Sequence, residues 1–214
     1  MTDYPVALAA EDFVPVALTA LGMAMLRHRH PLVPAAAALV VAGGFGKAAW
    51  KLIVALGGPD LPWLRGALFP LLAIGFTAFA YALARESRRP PHPAVLAVPV
   101  LAVPLLAALA LSAVLRDTWP ALLWTIVAVT VAAVLLARTA ARAGDPIAAT
   151  LFGLWLAGQY LLGPLAARAE QSIPLQWVEQ SCNTLAQAAF AFAAWHLTRT
   201  TRTPTERTEE RAAA

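Results

Sequence analysis

Residues 173–197 read IPLQWVEQSCNTLAQAAFAFAAWHL, a run of twenty-five with one acidic or basic charge, Glu179. At about 100° per residue, Gln176, Glu179, Gln180, Asn183 and Gln187 fall within one sector about 100° wide, so the helix has a single polar face. The stretch is long enough to cross bilayer hydrocarbon, which takes about twenty apolar residues. A polar strip turned toward lipid would be costly, so it should look into a bundle of further spans.

The rest of the chain supplies those spans. Of its 214 residues, 60% are hydrophobic and only 13% charged, and the mean hydropathy is +0.66. A soluble domain carries roughly a quarter charged residues. The Ala/Leu/Val runs lack the alternation of barrel strands, so helices are the expected spanning structure. Seven segments can be cut: 6–26, 32–56, 64–84, 94–115, 120–136, 146–165 and 173–197. The breaks carry turn chemistry, as in Gly57-Gly58-Pro59-Asp60 and Ala143-Gly144-Asp145-Pro146. The expected fold is all-α, a polytopic membrane protein built as a seven-transmembrane-helix bundle over residues 1–197. Residues 198–214, rich in Thr, Arg and Glu, are expected to form a disordered cytoplasmic tail.

The net charge of +4 reads as topology rather than nucleic-acid binding, because the arginines lie mainly in connections. Eleven basic residues fall on one side of the predicted spans: Arg27, Arg29, Arg85, Arg88, Arg89, Arg138, Arg142, Arg199, Arg202, Arg207 and Arg211. The other side has Arg65, Arg116 and Arg168, with Asp3, Asp60, Asp117 and Glu170. The N-terminus is therefore expected outside and the C-terminus in the cytoplasm of a plasma (inner) membrane. Met1-Thr2-Asp3-Tyr4 lacks the basic start of a cleavable signal, so the first span is expected to be retained. The Ala/Arg/Pro-rich composition points to a bacterial source, and the single Cys182 forms no intramolecular disulfide.

Two halves of the chain echo one another. Trp50 and Trp155 each lie eight residues before a Gly-Pro, and Trp63 and Trp177 each lie twenty-two residues before an arginine. The echo fits a 3+1+3 arrangement of parallel repeats with the fourth helix as linker, against the alternative of coincidence among Ala/Leu-rich spans. It makes Arg65 and Glu179 equivalent, each two residues after its Trp, and so a candidate pair.

Charges inside spans are expensive and mark functional candidates. Lys47 and Lys51, four apart, share a face of the second helix with Trp50. Gln159 and Tyr160 lie in the sixth, and Glu11 and Asp12 near the outer end of the first. In the expected orientation these residues and Glu179 agree in depth, which predicts a polar site toward the outer surface. The ligand- or ion-binding candidates are Lys47, Lys51, Glu179, Asn183, Gln180, Gln159 and Trp50, and the pairing or gating candidates Arg65, Glu11 and Asp12. Each has a plainer reading: interfacial carboxylates, a snorkelling lysine, a register-fixing Lys–Glu pair, or amide glue between helices.

No cofactor and no metal are expected. His28, His30 and His92 lie in loops and His196 at the inner end of the last span, and no metal-ligand spacing occurs. Ser112 and Ser181 lack an activating context, so enzymatic chemistry is the less supported class. The N-outside, seven-span layout is similar in topology to microbial rhodopsins and to small PQ-loop sugar transporters. The last span has no lysine for retinal and no Pro-Gln dipeptide occurs, so neither family is assigned.

The residues favour a small-molecule or ion transporter, or a proton-coupled one, in which Glu179 would exchange a proton or cation. A ligand-binding receptor or sensor component, a lipid-headgroup enzyme and a structural assembly protein are the alternatives. The expected partners are the lipid bilayer and an unknown small molecule or ion, with no nucleic acid.

Overall fold

Proline spacing decides where two of the apolar segments break. A proline lacks the N–H that would bond the carbonyl four residues earlier. Pro15 frees the Glu11 carbonyl in this way, and Pro70 that of Gly66. In the computed structural model, which describes residues 5–86, 94–166 and 172–201, helices stop at both places. Helix α1 (Val6–Glu11) gives way to α2 (Phe13–Met25), and α4 (Pro62–Gly66) to α5 (Leu68–Glu86). The remaining helices are α3 (Val33–Ala55), α6 (Ala94–Leu115), α7 (Trp119–Arg142), α8 (Pro146–Ala166) and α9 (Ile173–Thr201). Every regular element among the described residues is helical.

Among the fully described residues, four helical stretches are long and apolar enough to cross a membrane: Val6–Met25, Val33–Ala55, Pro62–Glu86 and Trp119–Arg142. The fully described parts of α6 and α8, Val100–Leu115 and Pro146–Leu162, are apolar too. Helix α9 exceeds the required length, but its polar strip dilutes its hydropathy and it is not among the four. It also continues to Thr201, past the apolar stretch ending at Leu197. There Thr198 and Thr201 return their hydroxyls to the Ala194 and Leu197 carbonyls. Residues 202–214, most of the tail expected to be disordered, lie outside the described residues, as do Arg88, Arg89, Arg168 and Glu170.

The helices close into a ring. Helix α2 packs on α3, α3 on α5, α5 on α7, α7 on α8, α8 on α9, and α9 back on α2, while α6 lies against α5 and α7. Small residues permit the closest approach: a Cβ on Gly75 would stand 2.7 Å from Val40 Cγ2 and 3.0 Å from the Ala36 carbonyl. Thr19 of α2 meets Gln187 of α9, and Gly22 lies against Phe190, so these two helices run in the same direction. Helix α8 runs against α9, with Asp145 beside His196 and Gly158 beside Ala186. The ring thus has an N-terminal end, with α1, the α3–α4 turn and the start of α9, and an opposite C-terminal end.

Mid-depth is filled with aromatic side chains. Trp155 and Phe190 lie tilted to one another with centroids 4.5 Å apart, Phe76 lies 6.3 Å from Trp155, and Phe152 lies 6.2 Å from Phe190. Below them Met23, Leu26, Leu136 and Leu197 are fully buried. Polar side chains gather above this layer, toward the N-terminal end.

Candidate functional site

The break after Glu11 places two carboxylates where α1, α3 and α9 meet. Asp12 sits at the break and Lys51 near the end of α3, and their side chains form a buried ion pair of 2.6 Å. Lys47, one turn deeper, is half-buried and feels the charges of Lys51, Asp12 and Glu179. No direct Lys47–Glu179 ion pair forms among the described residues; Arg29–Glu86 and Lys51–Asp12 do pair, and His196 contacts Asp145. Five charged groups on three helical segments thus share one neighbourhood, with both signs present.

Helix α9 contributes the polar strip. Thr184 donates its hydroxyl to Glu11 Oε1, and Thr19 donates to Gln187 Oε1 at 3.0 Å. Gln187 Nε2 in turn reaches Asn183 Oδ1 at 3.4 Å, which orders the lower part of the strip. The upper part is less satisfied: Gln176 and Gln180 are buried, and their Oε1 atoms have no protein partner among the described residues. Glu11 Oε2, Gln159 Nε2 and Trp155 Nε1 are buried in the same condition.

Trp50 and Arg65 form a separate group at the α3–α4 turn. The Trp50 indole N–H donates to Asp60 Oδ1 at 2.7 Å, and the Arg65 guanidinium stands 5.2 Å from the centre of its ring. Arg65 is exposed and makes no ion pair with Glu179 among the described residues, so its partner is the π face of Trp50. Tyr160 turns away from α9, its hydroxyl 2.8 Å from that of Thr130 on α7. Of the candidates read from sequence, the structure gathers Glu11, Asp12, Lys47, Lys51 and Glu179. It places Asn183, Gln180 and Gln159 on the adjoining helix faces and sets Trp50 and Arg65 to one side.

A second polar cluster, at the C-terminal end, has no counterpart in the sequence reading. Gly144, at φ +71°, ends α7 in the left-handed conformation that favours glycine, and the chain turns into α8 through Asp145. Asp145 Oδ1 accepts the Ala148 backbone N–H at 2.9 Å, an N-cap bond. Its Oδ2 lies 2.6 Å from His196 Nδ1 and accepts the Thr200 hydroxyl at 3.0 Å. Burial alone pushes the Asp145 carboxyl up. The bonds from Ala148, His196 and Thr200 outweigh it and hold the group below its ordinary value. The signal was present in Asp145-Pro146, an N-cap residue before a proline at the first helical position, and in His196 and Thr200 spaced one turn apart. Their meeting across 51 residues of chain was not.

A buried mixed-charge cluster with unsatisfied amides suits ligand or ion binding; a carboxylate with every oxygen bonded suits fastening helices. No protein-family model matches this chain, and no curated protein or solved structure matches it.

Proposed function

We propose that the chain is a carrier of a small molecule or ion whose cargo engages the cluster at the N-terminal end of the ring. The observation that carries this reading is the charge arrangement: Lys47 lies in the field of Asp12, Lys51 and Glu179, one turn from the closed Asp12–Lys51 pair, without a direct ionic partner among the described residues. An ionisable side chain so placed in a membrane helix is costly and is a functional candidate by default. Glu179 would exchange a proton or cation, Lys47 would hold an anionic group, and Asn183, Gln180 and Gln159 would orient the cargo.

In the same proposal the chain crosses a bacterial plasma membrane seven times, with the N-terminus outside. The arginine asymmetry and the seven apolar segments support this, and the ring order is compatible with two three-helix halves and α6 as peripheral linker. Uptake into proteoliposomes is the test. Substrate-dependent flux that falls in Glu179→Gln and Lys47→Ala supports the proposal; flux unchanged in both sinks it.

One observation favours a different reading. The closed Asp12–Lys51 pair is also what a register-fixing staple looks like. Replacing both residues together by Leu and Met separates the two: retained fold with retained flux makes the pair structural, and retained fold with lost flux makes it part of the site.

A further inference from the structure

Glu11 and Gln180 present a local conflict that the carrier reading does not resolve. Glu11 Oε1 is satisfied by Thr184, which leaves Oε2 of the same carboxylate buried without a protein partner among the described residues. Thr184 and Gln180 are four apart on α9 and therefore adjacent on one face, their side chains leaning toward the helix N-terminus. Gln180 is 5% exposed and Gln176, one turn further, 7%; the Oε1 of each is buried and unpartnered too. The unpartnered Glu11 oxygen, held against α9 by Thr184, is thus followed one turn along that helix by the unpartnered oxygen of Gln180 and two turns along by that of Gln176. A buried acceptor without a donor loses its hydration and gains nothing in return.

The formal charges agree in sign with these oxygens. Glu11, Asp12 and Glu179 stand against Lys47 and Lys51, which leaves one negative charge in excess at neutral pH. Lys51 is engaged with Asp12. What the strip lacks is a positive group with several N–H donors, and a primary ammonium supplies three from one compact charge.

We propose that Glu11, with Gln180, forms the seat for a small ammonium-type cation. The inference rests on the carrier reading and names the chemical class of its cargo. It also assigns the cationic end to Glu11 rather than to Glu179. Charge-assisted hydrogen bonds to the Glu11 carboxylate supply the affinity, and the Gln180 amide oxygen accepts a further N–H. The Trp155–Phe190 pair floors the ring below this level.

The test uses the full chain in detergent at pH 7, with thermal unfolding followed as methylammonium chloride is titrated at constant ionic strength. A ligand that binds the folded form raises the unfolding temperature saturably. The expected result is protection by methylammonium and none by sodium chloride or sodium acetate. Glu11→Gln, which keeps the shape and loses the charge, should weaken apparent affinity by about 10- to 100-fold. Gln180→Met removes one acceptor without burying a new polar group, and should weaken binding while leaving the unliganded protein folded. Equal protection by sodium, protection by acetate, or methylammonium protection indifferent to Gln180→Met would overturn the assignment. So would the absence of protection by any of the three. Methylammonium binding without flux in proteoliposomes defeats the carrier reading and leaves this site standing; flux of another solute without methylammonium binding does the reverse.

Discussion

Asp145 and Glu11 are both carboxylates set against α9, at opposite ends of the same helix ring, and their surroundings differ in kind. Asp145 has each oxygen engaged: Ala148 caps one, and His196 and Thr200 share the other. Glu11 has one oxygen bonded to Thr184 and one without a protein partner among the described residues. At the same end, Gln176 and Gln180 of α9 add unpartnered oxygens, whereas Asp145 also donates its backbone N–H to the carbonyl of the fully buried Ala140. A satisfied polar network rigidifies a fold, and an incompletely satisfied one marks a place where strain, a proton or a ligand enters. The C-terminal end therefore fastens the α7–α8 turn to α9, and the N-terminal end keeps polar atoms that the protein itself does not satisfy.

The sharpest way to break this contrast is to unbalance the N-terminal cluster. Lys51→Met leaves Asp12 buried without its counter-ion, and a loss of about 3 kcal/mol, seen as an unfolding temperature lower by roughly 10 °C, is expected. Adding Asp12→Leu should return most of that loss. If the double variant remains as unstable as the single one, the pair is not the source of the effect.

At the other end, Asp145→Ala removes a cap and two further bonds. A loss on the order of 2 kcal/mol is expected, with unfolding about 4–8 °C lower. A smaller shift than that of Thr200→Val alone would show that the bonds to Asp145 do not fasten the turn.

Acid titration sharpens the same point. Because the Asp145 carboxyl is held below its ordinary value, the folded state binds its proton less readily than the unfolded chain. Its contribution is thus present above the ordinary aspartate range and is lost as pH falls through the lowered value. The stability difference between the unaltered protein and Asp145→Asn should be undiminished at about pH 5 and shrink below about pH 4. A difference that instead grows in acid would contradict the sign.

The smallest expected effect has the opposite direction. Gln180→Met replaces an unsatisfied buried amide with an apolar chain of similar length, so unliganded stability should hold or rise by about 1 kcal/mol. A clear loss would mean that Gln180 is bonded within the fold, and the two ends would then be alike.

Much of this was legible before any coordinates. The strip Gln176-Glu179-Gln180-Asn183-Gln187 follows from helical periodicity, and burial of Gln176 and Gln180 agrees with a strip turned inward. The lysine spacing on α3 placed Lys47 and Lys51 on one face because residues four apart are neighbours on any helix. Other features depended on the neighbour. Lys51 met Asp12 rather than Glu179, because the break at Asp12 brings its carboxylate onto α3. Arg65, aligned with Glu179 by the internal echo, rests on Trp50 instead, because the α3–α4 turn folds back on its own helix. His196, read only as a residue near the inner end of its span, became a partner of Asp145 because α8 and α9 pack antiparallel.

Local quantities were written into the linear chain: helicity, apolar length and the polar face of α9. Each depends on residues within four or five positions of one another, where geometry is set by the helix itself. Pairing was decided in three dimensions. Which acid meets which base, and which oxygens are left over, depends on how the ring closes and on the register between helices far apart in sequence. Apolar faces slide past one another at little cost, so only the packed arrangement selects Asp12 for Lys51 and Asp145 for His196, and leaves Glu11 with an oxygen to offer.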